Sequence, residues 1–133
     1  MDLLTSYSFG KTVEMPYLEA VDRVRAELAK EGFGVLSEID IKQKFSEKLG
    51  KNFRDYIILG ACSPPLAWEA FRHEINIGTL LPCNVVNDQG DDMATVVMVM
   101  DPVAARGIIG NEELTEIAVT VRQKMQRMLA ALC

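Results

Sequence analysis

Alternation with a period of two opens the chain. Between residues 5 and 14, Tyr7, Phe9, Lys11 and Val13 alternate with Ser6, Ser8, Gly10 and Thr12, which predicts a half-buried strand. The period then lengthens. Pro16 stands where a helix N1 proline belongs, since its missing N–H is unpaired there in any case. Leu18, Val21, Val24 and Leu28, with Arg25 among them, recur at helical spacing up to Gly32. A helix over 16–31 follows.

Residues 33–41 predict a second strand, with Phe33, Val35, Ile39 and Ile41 on one face and Glu38 and Asp40 on the other. Asp40 and Gln43 fit a capping box for a short helix over 41–49, ended by Gly50. Residues 56–62 are apolar on both faces, as a central strand requires. Ser63-Pro64-Pro65 supplies a serine cap and an N1 proline to a short helix through Trp68, Ala70 and Phe71. A fourth strand is expected over 77–87, with Pro82 marking an edge or a bulge because proline donates nothing to a ladder. A turn at 88–92 leads to a fifth strand over 93–100, making an antiparallel hairpin that Asp101-Pro102 ends. Asn111 then caps a long helix whose stripe is Leu114, Ile117, Ala118, Val121, Met125, Met128 and Leu129.

This order predicts an α+β fold: an antiparallel sheet of about five strands with a long C-terminal helix packed on one face. A Rossmann-like parallel sheet fails. No glycine-rich phosphate turn follows the first strand, the insertions are short for crossovers, and the last two strands form a hairpin.

Composition narrows the setting. The 133 residues, 49% hydrophobic and 25% charged, fit one globular domain over 1–133. Nineteen acidic against fourteen basic residues give a net charge of −5, which disfavours a nucleic-acid surface. The first residues lack a basic n-region and an apolar h-region, and no apolar run nears the ~20 residues of a membrane helix. A soluble, cytoplasmic protein with no membrane partner is the expectation, its three cysteines being thiols.

Candidate chemistry is sparse. The single histidine, His73, reads as a solvated helix end, and without a Cys-x-x-Cys pair no zinc finger is possible. Cys62 and Cys83 read first as small buried hydrophobes. They approach each other if their strands pair, and Cys62 precedes a helix N-terminus, where a thiolate is favoured. They are the only candidates for a metal. Cys133, at the chain end, is given no role. Glu38 and Asp40 form a carboxylate pair, Asp40 being accounted for as a cap. No Ser/His/Asp arrangement or P-loop is present, so no catalytic residue and no cofactor is assigned.

Several segments together resemble a known family. They are Glu38-Ile39-Asp40-Ile41-Lys42 with Lys48-Leu49-Gly50, then 56–64 ending in Gly60-Ala61-Cys62-Ser63-Pro64, then 77–86 with Leu81-Pro82-Cys83-Asn84, then Asp101-Pro102. The chain is similar over nearly its whole length to the bacterial and archaeal domain-of-unknown-function family 302. Where the family pattern has Cys-Asn-Pro, this chain has Cys62-Ser63-Pro64, which keeps a capping side chain. The resemblance implies a TATA-box-binding-protein-like fold of order β-α-β(4)-α and a homodimer, and it brings no activity. It adds weight to Glu38, Cys62, Pro82 and Cys83.

Three readings remain. The favoured one is a non-enzymatic domain that binds a small ligand in a cleft between the sheet and the long helix, lined by Glu38, Cys62, Pro82 and Cys83. The alternatives are a thiol-based redox or soft-metal protein using Cys62 and Cys83, and a structural dimeric interaction module.

Overall fold

The computed structural model describes residues 2–90 and 93–132. Its six strands are β1 (Asp2–Leu4), β2 (Ser8–Val13), β3 (Gly34–Asp40), β4 (Tyr56–Cys62), β5 (Cys83–Gln89) and β6 (Thr95–Met100). Its helices are α1 (Tyr17–Lys30), α2 (Ile41–Leu49), α3 (Pro64–His73), α4 (Pro102–Ile109) and α5 (Thr115–Ala131). The strands form one sheet in the order β1-β2-β6-β5-β4-β3, antiparallel at every junction. The fold is α+β.

Alternation gives the sheet two unlike faces. Phe9, Val13, Leu59, Ala61, Cys83, Val85, Val97 and Val99 point to the buried one. There they meet Ala20, Val24 and Leu28 of α1 and Val121, Met125, Met128 and Leu129 of α5 in one continuous core. These are the stripes that the helical periodicity marks, with Leu18 as the exception at 75% exposure. Among the described residues no helix is long and apolar enough to cross a membrane.

Local chemistry explains the boundaries. Pro16 is the N-cap of α1 rather than its first helical residue, and Gly32 takes the left-handed conformation after the helix. Asp40 accepts the Gln43 N–H at 2.9 Å. The return half of that capping box is not made, because the Gln43 amide donates to Glu47 at 2.9 Å instead. Ser63 caps α3 with its backbone alone: its carbonyl accepts from Ala67 at 2.8 Å and its hydroxyl makes no capping bond.

The antiparallel sheet of about five strands is there, with a short sixth strand, β1, whose three residues are too few for any periodicity to reveal. Four expectations need correction. The segment before Pro82 is a 3-10 turn (Ile75–Leu80), and the ladder begins only after the proline, which follows a cis Leu81–Pro82 peptide. Pro82 marks neither an edge nor a bulge but the entry to β5, and a bulge lies instead in β3, where Leu36 is an extra residue between Val35 and Ser37. That bulge inverts the alternation, so Glu38 and Asp40 share the helix-covered face with Val35, opposite Leu59, Ile57 and Ala61 of β4. Finally, Asp101-Pro102 both ends β6 and starts α4: the Asp101 carboxylate accepts from Val103 N–H at 2.9 Å, with proline at the helix start. Asn111 accordingly caps a short 3-10 turn (Glu112–Leu114) that leads into α5.

Candidate functional site: an apolar cavity at the end of the sheet

Three segments project beyond the same end of the sheet. The end of β4 runs into α3, the end of β6 runs into α4, and the 3-10 turn enters β5 through Pro82. Together with the first half of α5 they wall a half-open cavity of about 330 Å³. The strand ends contribute Ala61, Cys62, Cys83 and Met100; α3 contributes Leu66, Ala67, Ala70 and Phe71; α5 contributes Ile117, Ala118 and Val121. On α4 the lining residues are Pro102, Ala105, Arg106 and Ile109, spaced i, i+3, i+4, i+7, so one helical face is turned inward. Leu36, 69% exposed, reaches the rim from the β3 bulge.

Of the four residues singled out by sequence, three meet here. Cys62, Pro82 and Cys83 all line the cavity. Cys83 pairs with Ala61 in the β4–β5 ladder, which makes Cys62 the next residue along. Glu38 is elsewhere: it forms an ion pair with Arg25 of α1 and is not part of the lining. Asp40 stays at the cap of α2.

The thiols behave oppositely to the expectation for a helix N-terminus. Burial raises the pKa of Cys62. Burial, and secondarily the neighbouring Cys62, pushes Cys83 up to about 11. Desolvation disfavours the thiolate at both positions, so both cysteines are protonated at neutral pH. Both are free thiols. Cys133 lies outside the described residues. Among the described residues no group of three or more His, Cys, Asp or Glu side chains is placed to hold a metal ion.

A polar clasp holds the far side of the cavity. His73, the last residue of α3, places Nδ1 2.6 Å from a Glu113 carboxylate oxygen. The Asn111 amide donates to the His73 carbonyl at 3.0 Å and to the Glu74 carboxylate at 3.3 Å. These bonds tie the end of α3 to the turn that begins α5.

Sequence reasoning missed α4 and with it Arg106. The spacing of Pro102, Ala105, Arg106 and Ile109 is the signal, and Asp101-Pro102 hides it because the same dipeptide ends β6.

Comparison with known proteins agrees with this architecture. No curated protein matches the chain. The crystal structure of an uncharacterized conserved DUF302 protein from Bacillus stearothermophilus superposes with a TM-score of 0.89 at 26% identity, covering 97% of this chain and 100% of that one. The model of the family described as "Domain of unknown function DUF302" matches residues 9–132. With nearly the whole sequence inside that match, the chain belongs to the DUF302 family.

Proposed function

We propose that the protein is a binding domain that takes a small, largely apolar ligand into the cavity at the end of its sheet. The cavity itself carries this reading. A half-open cleft of about 330 Å³ walled by apolar side chains offers water little to bond to, and its size falls in the ~300–1,000 Å³ range of small-molecule sites. Cys62, Pro82 and Cys83 act in it as apolar surface, and a reducing cytosol suits such thiols. Glu38 would not touch the ligand. The thiol-redox reading loses its electrostatic basis, because neither cysteine is activated.

The test is titration with a neutral, solvent-sensitive naphthylamine dye. Saturable binding is expected, together with its loss in Ala70→Leu, which fills the space beside a buried lining residue. Absence of dye binding, or equal binding by the filled variant, would overturn the reading.

A second observation favours self-association. The sheet face turned away from α1 and α5 carries Ile58, Val86, Val96 and Met98 side by side across β4, β5 and β6, each only half-buried. Monomers rarely leave such contiguous apolar surface open. We therefore propose a homodimer that covers this face.

A further inference from the structure

The chain has seven arginines. Six of them, Arg23, Arg25, Arg54, Arg72, Arg122 and Arg127, lie within 4 Å of a carboxylate. Arg106 is the exception among the described residues, and it is also the charged residue in the cavity lining. It occupies the inward stripe of α4, between Pro102 and Ile109, where the other three positions are apolar. Arg106 is half-buried as a residue, and a long cationic side chain on such a face tends to lay its methylenes along apolar surface while its head stays wet.

We infer that the ligand is an amphipathic monoanion, a straight-chain alkyl carboxylate whose tail fills the cavity and whose head is held by Arg106. The inference rests on the proposed binding function and names its ligand class. Guanidinium donors match a carboxylate through two parallel bonds. One arginine, with no second cation in the lining among the described residues, balances one negative charge. A phosphate monoester would bring a second.

The experiment displaces the neutral dye with straight-chain carboxylates of increasing length and with the alcohols of equal length. Carboxylates are expected to compete ~tenfold or more better than their alcohols, the scale of a hydrogen bond to a charged group. Affinity is expected to rise by about fourfold per added methylene until the cavity is full. Arg106→Gln should abolish the preference for carboxylate over alcohol, and Arg106→Lys should retain part of it. If the dye binds but alcohols compete as well as carboxylates, or Arg106→Gln leaves the preference intact, the inference fails and the binding function stands. If the dye does not bind at all, both fall.

Discussion

Gly60 of β4 lies directly beneath the ring of Pro82, so that a Cβ on Gly60 would stand 2.5 Å from Pro82 Cγ and would also meet the Ser37 hydroxyl. The hydroxyl can rotate away. The proline ring has no such freedom, and it forms part of the cavity wall. Gly60→Ala is therefore expected to destabilise the protein by about 1–3 kcal/mol, the usual cost of overpacking. A lowered midpoint in urea unfolding checks this, and an unchanged midpoint would contradict the contact.

The raised pKa of Cys83 gives a pH dependence with a definite sign. The folded thiol holds its proton up to about 11, whereas the unfolded one loses it near 9.0. Between these values the unfolded chain binds fewer protons, so stability falls as pH rises, with the full contribution present below 9.0. About 2 kcal/mol is at stake by pH 11. Tyr17, pushed up to about 12 by burial and by Asp40, Asp55 and Asp88, acts in the same direction. The difference between the native chain and Cys83→Ala isolates the thiol. Urea melts across this range should show a shallower decline for the variant, and parallel curves would refute the assignment.

The same protonation makes both cavity thiols slow to alkylate. Iodoacetamide at neutral pH should label Cys62 and Cys83 more slowly than a free model thiol, with denaturant restoring the rate. Peptide mass spectrometry reads both sites separately. Fast labelling of Cys62 in the native protein would reverse the desolvation argument.

If the outward sheet face mediates self-association, one lysine at its centre should break it. Val86→Lys is expected to sediment as a monomer with unchanged far-ultraviolet circular dichroism, while the native chain sediments at twice the chain mass. A native monomer, or a dimeric variant, would remove the proposal.

What the sequence disclosed depended on whether a feature is local. The apolar run 56–62 and the stripe from Leu114 to Leu129 repeat often enough to name β4 and α5. Asp40 and Gly50 mark both ends of α2 because caps act within a few residues. Strand β1 is too brief to have a period. The face occupied by Glu38 turns on the extra residue Leu36, and a bulge leaves no mark in a single sequence. Cys62 and Cys83 could be nominated one by one, but the cavity draws its walls from separate elements, so its shape exists only after assembly. Arg106 looks like any surface charge until three dimensions show that, among the described residues, no carboxylate pairs with it.

The cavity walls are secured unequally. Helix α3 buries only Ala70 and α4 only Pro102, and the 3-10 turn between α3 and β5 buries nothing. Strands β4 to β6 and helix α5 carry most of the dense core. Stability is therefore distributed as a firm floor with a lightly fastened roof, and segments with few buried apolar groups open well below the free energy of global unfolding. Amide hydrogens of α3 and α4 should exchange faster than those of β4, β5 and β6. A guest lying in the half-open cleft beneath them would fasten this roof to the floor, and occupancy would slow exchange in those two helices first.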